Sequence, residues 1–358
     1  MLPKEPRELT QKWVRGLVHK VLTPRGAIQA RPLKTNNYER HKNWKITIGK
    51  NAYLLRVENP FTNKVRRMFL KDEIAVLKLL QPYRVAPKLI VYGRYNGRLF
   101  LIEEWMRAKR FSIPPRPTRR DFEKIIEFIV RVNRVPLSRI AKKFKFKEDC
   151  LDRLAARRKD LEGRIRAGRA IKEFRPIIKE ILPLFKTGFA ELAHRVRALP
   201  KSVWRHPVLS YRDISQTNIF AATPHYLAVD WEWHSVGIAD PSLSLVVFMQ
   251  RFNLLHRRKW ILKEYQRLRL TPHLDALIDA RILERLLGGL TWSLGWIANM
   301  KRAGVPQREL RRAIRGGIKN IRVRTRELTQ FLQDGSGKQK KRNGVTPLGR
   351  LYDASYNL

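Results

Sequence analysis

The hydrophobic pattern of the chain changes once, and that change limits the folds available to it. Residues 44–57 read WKITI, a GKN turn and AYLLRV, and residues 88–105 read KLIVYG, a YNG turn and RLFLIEEW. Each is a pair of apolar runs around a glycine-containing turn, which is typical of a β-hairpin. Between them, VRRMFLKDEIAVLKLL spaces its apolar residues as an amphipathic helix does. Residues 36–106 are therefore predicted to form a small lobe of hairpin, helix and hairpin.

After this lobe the pattern is mostly helical. RAKRFSIPPRPTRR, rich in proline and arginine, is predicted to be a linker. Amphipathic stretches follow, with helices expected at about 260–270, 273–301 and 306–333, and a short strand-like interruption at 208–233. The predicted fold class is α+β. The predicted organisation is a basic N-terminal extension at 1–35, an N-lobe at 36–106, a linker at 107–120, a helical C-lobe at 121–333 and a disordered basic tail at 334–358.

The charge of the chain is strongly positive. Lys and Arg number 76 against 31 Asp and Glu, which gives a net charge of +45, while an apolar share of 43% excludes a wholly disordered chain. Such a field attracts phosphates of nucleotides, nucleic acids or anionic lipids. The cations are spread along the whole sequence, so two interpretations stay open: a generally solvated cationic surface and a dedicated polyanion partner.

Cysteine content and hydropathy indicate a compartment. The single cysteine, Cys150, excludes an internal disulfide framework and a multi-cysteine metal cluster, and it favours a reducing environment. The sequence shows no secretory signal, and its longest weakly polar stretch, GGLTWSLGWIANM, is too short for a bilayer, which takes about 20 residues. We expect a cytoplasmic protein without a transmembrane segment.

The strand-like interruption carries the chemistry. It contains LSYRDISQTNIF, in which Asp213 and Asn218 lie five residues apart, and Asp230 follows at the end of the run YLAV. Phosphoryl transfer from ATP uses a carboxylate to orient the attacking hydroxyl and oxygen ligands to hold Mg²⁺. These side chains have the required identities in the required order. We predict Asp213 as the catalytic carboxylate and Asn218 and Asp230 as Mg²⁺ ligands.

These motifs resemble a known family. YRDISQTN resembles the kinase catalytic loop H-R-D-x-x-x-x-N, with Tyr211 in the histidine position. DWEW followed by GIADP is similar to the Asp-Trp/Phe-Glu and Gly-x-x-Asp-Pro motifs of the aminoglycoside phosphotransferase and choline kinase-like family, and no Ala-Pro-Glu motif of protein kinases follows. The resemblance covers about residues 33–300 by motif order. It implies a two-lobe protein-kinase-like fold and an ATP- and Mg²⁺-dependent transfer of phosphate to a small-molecule hydroxyl.

The resemblance also implies a nucleotide site in the N-lobe. Arg56 stands where most members have a lysine, as in choline kinase-like members, and Glu73 stands on the following helix. An arginine fork held by a glutamate suits phosphate oxygens. Backbone groups around three residues at the end of the last strand are implied to bind adenine: Glu104, Trp105 and Met106.

The sequence departs from the family pattern in two places. LKTNNYERHKNW stands where protein kinases have a glycine-rich loop, which leaves Asn36 and Asn37 as candidates to cover the phosphates. Ser244 follows GIADP where many members have an aspartate. Asp240 is expected to be structural, and Glu232 is compatible with a surface, metal-binding or structural role.

The phosphate acceptor is predicted only as a class. Trp292 and Trp296 lie four residues apart on one helical face, which fits either a cation–π pocket for a choline-like acceptor or packing in a core. A chain with so few acids disfavours a polycationic acceptor, so a sugar, an amino alcohol or a lipid-linked sugar is expected. The alternative hypothesis is a kinase-fold protein with little catalysis that binds nucleic acid or an anionic membrane through its basic surface.

Overall fold

The computed structural model describes residues 9–33, 41–58, 70–113, 118–138, 148–222, 224–231 and 235–333. It has the predicted α+β composition, an antiparallel sheet followed by a mostly helical region. The chain divides into two compact units, one made of Met1–Lys147 and Tyr211–Gly237 and the other of Glu148–Ser210 and Ile238–Leu358. Each unit is described in turn.

The first unit is built on a five-stranded antiparallel sheet in the order β1-β2-β3-β5-β4. Both predicted hairpins are present, β2–β3 and β4–β5, and each turns at a glycine with positive φ, Gly49 or Gly97. The edge strand β1 is not predicted from the sequence, since IQARP is short, has only two apolar residues and ends in proline. The strands are β1 (Ile28–Pro32), β2 (His41–Ile48), β3 (Asn51–Glu58), β4 (Leu89–Tyr95) and β5 (Arg98–Glu104).

Two helices accompany this sheet. Helix α1 (Gln11–Leu22) begins at Thr10, whose hydroxyl accepts a hydrogen bond from the Trp13 amide at 3.2 Å, and its buried face joins the core of the sheet through Leu17. Helix α2 (Leu70–Leu80) buries one apolar face and, on that same face, the side chain of Glu73. A charged residue at a core position of a helix indicates a buried ionic partner.

The described residues of the first unit also form one further helix and a small hairpin. Helix α3 (Arg119–Asn133) starts with a capping box between Thr118 and Asp121. Strands β7 (Ile219–Phe220) and β8 (Leu227–Ala228) form an antiparallel pair in which Ile219 faces Ala228. Strands β6 (Val208–Tyr211) and β9 (Val236–Ala239) form a separate two-stranded sheet.

The second unit is helical, as predicted for most of its length. Helix α6 was missed because SLSLVVFMQR is buried almost all round, so its sequence has no amphipathic period. The described helices are α4 (Leu154–Gly168), α5 (Arg175–Arg197), α6 (Ser242–Arg251), α7 (Arg258–Leu268), α8 (Leu274–Arg302) and α9 (Gln307–Gln333). Among the described residues, no helix is long and apolar enough to cross a membrane.

Helices α8 and α9 pack closely at a glycine. A Cβ atom on Gly317 of α9 would lie 2.5 Å from Cδ1 of Ile297 on α8 and 3.3 Å from the ring of Phe174. Glycine is therefore required there by close approach. An ionic cluster lies nearby in sequence on α8, where Arg281 contacts both Asp240 and Glu284, all three side chains being buried.

Candidate functional site

A buried arginine stands at the centre of the first unit. Strand β3 places Arg56 opposite Leu101 of β5, and the residue is 7% exposed. Its Nη1 atom lies 3.0 Å from Oε1 of Glu73 and 3.6 Å from Oδ1 of Asp230, and its Nη2 atom lies 3.4 Å from Oε1 of Glu103. The predicted pair of Arg56 and Glu73 is therefore part of a larger group in which one guanidinium meets three carboxylates.

The group holds Arg56 in its charged form. Burial alone would lower the pKa of Arg56, but the carboxylates of Glu73, Glu103 and Asp230 outweigh it and raise that pKa above its ordinary value. The imidazole of His41 adds a further contact, with its Nε2 atom 3.7 Å from Oε2 of Glu73. A cation fixed in this way is suited to binding phosphate oxygens.

Glu103 was not singled out in the sequence. Its carboxylate is buried, and burial raises its pKa, while Arg56 acts in the opposite direction. The strand geometry of β5 does indicate where Glu103 points. Residues two apart share one face of a strand, so Glu103 lies on the same face as Leu101, the residue opposite Arg56. Only the register of β3 on β5 turns that pattern into a contact.

Tyr211 connects the predicted catalytic loop, YRDISQTN, with the turn at Val229 and Asp230. Its hydroxyl donates a hydrogen bond to the Val229 carbonyl at 2.7 Å and interacts with the side chain of Asn218. Burial, with Asp213 and Asp230 nearby, raises the pKa of Tyr211 well above its ordinary value, so the phenol stays protonated. Its ring centroid lies 4.6 Å from that of the buried Trp231.

The hairpin of β7 and β8 brings the two loops to one end. Because Ile219 pairs with Ala228, Asn218, which precedes β7, lies beside Val229, which follows β8. The Asn218 carbonyl accepts a hydrogen bond from the Val229 amide at 2.9 Å, and the Asn218 side-chain amide donates to the Asp213 carbonyl at 3.4 Å. These bonds join Asp213 and Asn218 to Val229, the residue that precedes Asp230.

Asp230 adopts a backbone conformation that aspartate seldom takes. Its φ is 62°, in the left-handed region, and its side chain is 33% exposed. The neighbouring Trp231 anchors this turn, since its indole is fully buried and donates to the Ala228 carbonyl at 2.6 Å. Strained backbone held by a buried anchor occurs often at functional sites.

The residues implied to bind adenine, Glu104, Trp105 and Met106, are called the hinge. Part of their backbone is already hydrogen-bonded within the protein. The amide of Glu104 donates to the Lys88 carbonyl at 2.9 Å, and the amide of Trp105 donates to the Ala52 carbonyl at 3.2 Å. Of the three residues implied to contact adenine, Glu104 is exposed, and Trp105 and Met106 are half-buried.

Other residues noted in the sequence have different placements. Asn36, Asn37 and Glu232 lie outside the described residues. Asp240 has the expected structural role in the second unit, where its Oδ1 atom accepts a hydrogen bond from the Ser242 amide at 3.2 Å. The rings of Trp292 and Trp296 are half-buried and stacked, with centroids 5.8 Å apart.

Among the described residues, no group of three or more His, Cys, Asp and Glu side chains could hold a metal ion. The pair of Asn218 and Asp230 has a different composition, one amide and one carboxylate, which is the kind of donor set that Mg²⁺ shares with phosphate oxygens and water.

Solved structures resemble this chain over nearly its whole length. Spectinomycin phosphotransferase APH(9)-Ia, in complex with ADP and spectinomycin, matches with a TM-score of 0.60 at 9% identity, over 91% of this chain and 100% of its own. Choline kinase LicA from Streptococcus pneumoniae matches with a TM-score of 0.58 at 15% identity, over 89% and 99%. A thermostable mutant of aminoglycoside phosphotransferase APH(4)-Ia, in a ternary complex with ADP and hygromycin B, matches with a TM-score of 0.55 at 12% identity, over 90% and 98%.

These likenesses show the fold. The chain has the α+β fold of aminoglycoside phosphotransferases and choline kinases, which confirms the resemblance predicted from its motifs. By sequence, no protein-family model and no curated protein matches the chain.

Proposed function

We propose that the protein is an ATP- and Mg²⁺-dependent phosphotransferase that moves the γ-phosphate to a hydroxyl of a small molecule. The observation that supports this most strongly is the contact of Arg56 with Glu73 and Asp230 at once. In kinases the strand cation must be paired with the helix glutamate, and the metal-binding aspartate must be in place, before transfer occurs. The contacts of Arg56 support both conditions, with Glu73 as the helix glutamate and Asp230 as the metal-binding aspartate of this proposal.

Arg56 binds the α- and β-phosphates in this proposal. Glu73 and Glu103 hold its guanidinium from two sides, so the side chain gives up little freedom when the nucleotide arrives. Adenine contacts the backbone of residues 104–106. Because the amides of Glu104 and Trp105 are already bonded, the donor to adenine is the amide of Met106, and the acceptor is the Glu104 carbonyl.

Asn218 and Asp230 supply the protein oxygens for magnesium. Magnesium would supply positive charge that neutralises the transferring phosphate. Tyr211 keeps the two ligands in register, since its hydroxyl bonds to the loop of Asp230 at Val229 and interacts with Asn218. These contacts hold in place the strained turn that carries the Asp230 carboxylate.

Asp213 acts on the acceptor. Its carboxylate orients the acceptor hydroxyl and takes up the hydroxyl proton, while a bond forms between the acceptor oxygen and the γ-phosphorus and the bond from that phosphorus to the β-phosphate oxygen breaks. ADP leaves as the other product. The loop bond from Asn218 to the Asp213 carbonyl fixes the backbone of this carboxylate relative to the metal ligands.

The acceptor is an alcohol that carries at most one positive charge in this proposal. Two of the structural neighbours are bound to the antibiotics spectinomycin and hygromycin B. A net charge of +45 repels a polycation from the whole molecule, so sugars, amino alcohols and lipid-linked sugars are the compounds to screen.

The test combines a screen with three variants. ADP release from MgATP is followed across a panel of such alcohols, and the active compound is then used with Asp213→Asn, Asp230→Ala and the control Asp152→Asn, which changes an exposed aspartate of the second unit. We expect Asp213→Asn to lose about 10²–10⁴-fold in turnover while it keeps nucleotide affinity. Asp230→Ala should lose turnover and Mg²⁺-dependent nucleotide affinity together. Full activity in both variants would refute the assignment.

A further inference from the structure

The outer face of helix α9 carries a straight row of cations. The helix exposes Arg311, Arg315, Lys319 and Arg322 at spacings of three or four residues. At about 100° and 1.5 Å per residue, the full set falls within an arc of ~100° and runs for ~27 Å along the helix. We call this set the α9 basic stripe, and its members are Arg308, Arg311, Arg312, Arg315, Lys319, Arg322 and Arg326.

Two features separate this stripe from an ordinary solvated helix face. The buried residues of α9, such as Gly317 and Leu328, lie on the opposite side, so the stripe faces away from the core. Its acids lie on the flank: at 100° per residue, Glu309 and Glu327 fall outside the arc, and Glu327 pairs with Arg324 at 2.7 Å. No member of the stripe forms an ion pair with any residue that the structure describes.

Other helices of the same unit pair part of their cations with acids on the same helix. On α4, Arg158 pairs with Glu162 at 2.8 Å and Arg164 pairs with Asp160 at 2.7 Å. On α5, Arg195 pairs with Glu191 at 2.7 Å. The stripe is therefore a local concentration of uncompensated charge, beyond the general excess of Lys and Arg in the sequence.

The composition of the stripe favours one class of polyanion. Helices that bind bilayers insert an apolar face, whereas the apolar face of α9 is buried within the protein, and none of the large hydrophobic residues found exposed in the described ranges (Ile90, Tyr92 and Leu270) lies on α9. Six of the seven cations are arginines, whose planar forks bind phosphates in pairs of hydrogen bonds. Duplex nucleic acid offers one phosphate charge per about 1.7 Å of axis, a denser row than a mixed bilayer presents.

We propose that the α9 basic stripe binds the phosphate backbone of a duplex nucleic acid without reading its sequence. A straight row of cations matches the regular row of backbone phosphates, and contacts to phosphates position a protein on a duplex without reading its sequence. This surface lies on the second unit and uses none of the residues assigned to phosphoryl transfer, so it stands independently of the proposed enzyme function.

Salt dependence tests the proposal quantitatively. The full-length protein is titrated into a fluorescently labelled 24-base-pair duplex of random sequence, and the association constant is followed by anisotropy between 50 and 200 mM salt. With all seven cations engaged, the slope of log K against log salt should be about −6, a loss of several thousand-fold over that range. A second duplex of unrelated sequence should give the same constant.

A pair of triple variants locates the contact. Arg311→Gln/Arg315→Gln/Arg322→Gln should reduce the slope to about −3.6. The control Lys172→Gln/Lys179→Gln/Lys186→Gln changes the net charge equally at exposed positions at and near α5 and should keep the full slope. Helical content by circular dichroism checks both proteins, since glutamine is a good helix former.

Three results would overturn the proposal. Equal losses in both triple variants would mean that the overall field, rather than the stripe, binds the duplex. A slope near zero in the unmodified protein would mean that no phosphate row is engaged. Stripe-dependent binding to vesicles with 30% phosphatidylglycerol, with no binding to the duplex, would assign the surface to membranes instead.

Discussion

Replacing Tyr211 by phenylalanine tests how the two loops of the candidate site are held together. The substitution removes one oxygen and keeps the ring that packs on Trp231 and Phe128. It deletes the hydrogen bond to the Val229 carbonyl at 2.7 Å and the interaction with Asn218. Tyr211 is 1% exposed, so water does not easily replace the lost donor.

The size of the effect follows from that burial. A buried carbonyl left without its donor costs about 1–3 kcal/mol, and the Val229 carbonyl is partly buried, so we take a value in the lower half of that range. A loss of ~1.5 kcal/mol corresponds to a fall of about 3–6 °C in the unfolding midpoint for a unit of this size. Where the same energy is lost at the metal ligands, Mg²⁺-dependent ATP affinity falls about tenfold.

The assay uses thermal unfolding and a titration of ATP with and without Mg²⁺. Tyr226→Phe is the matched control, because Tyr226 is a half-buried tyrosine of the same unit whose ring packs on Phe111 and whose hydroxyl bonds to no described residue. We expect the control to change neither property. Equal midpoints and equal affinities for Tyr211→Phe and the unmodified protein would refute the linkage.

Two further predictions concern Glu103 and the helix glycines. Burial raises the pKa of Glu103 in the folded state, so its contribution to stability is full below its ordinary value of 4.5 and is lost as the pH rises through the folded value; Glu103→Gln should therefore reduce the loss of thermal stability as the pH is raised from about 4.5, and an unchanged pH dependence would contradict this. Gly317→Ala should destabilise by about 1–3 kcal/mol in chemical unfolding, because its Cβ would meet Ile297, whereas Gly163→Ala on α4, with open space around it, should stabilise by about 1 kcal/mol. The same sign for both glycines would contradict the packing argument.

The sequence predicts most of this fold because its periodicities are local. The apolar runs in AYLLRV and RLFLIEEW and the helical spacing of residues 306–333 each report local burial, whatever element packs against them. Strand β1 and helix α6 were missed for different reasons. IQARP has only two apolar residues and ends in proline, so it gives a weak strand signal. Helix α6 is buried almost all round and lacks a polar face to set a period.

The candidate site was predictable in its motifs and not in its contacts. Asp213, Asn218 and Asp230 are recognisable because their order and spacing are fixed along the chain. The role of Glu103 depends on which residue of β3 faces which residue of β5, and that register is a tertiary property. The bond from Tyr211 to Val229 likewise joins residues 18 positions apart.

The first unit is assembled from two separate stretches of chain, and this has a consequence for protein synthesis. The segment from 148 to 210, which belongs to the other unit, is translated before Tyr211–Gly237 emerges. At about 5–20 residues per second, the ribosome needs ~5–20 s to make the 90 residues after Lys147. During that interval the nascent polypeptide contains Arg56, Glu73 and Glu103 but not Asp230. The guanidinium can therefore meet its third carboxylate only after the chain has been made past residue 230.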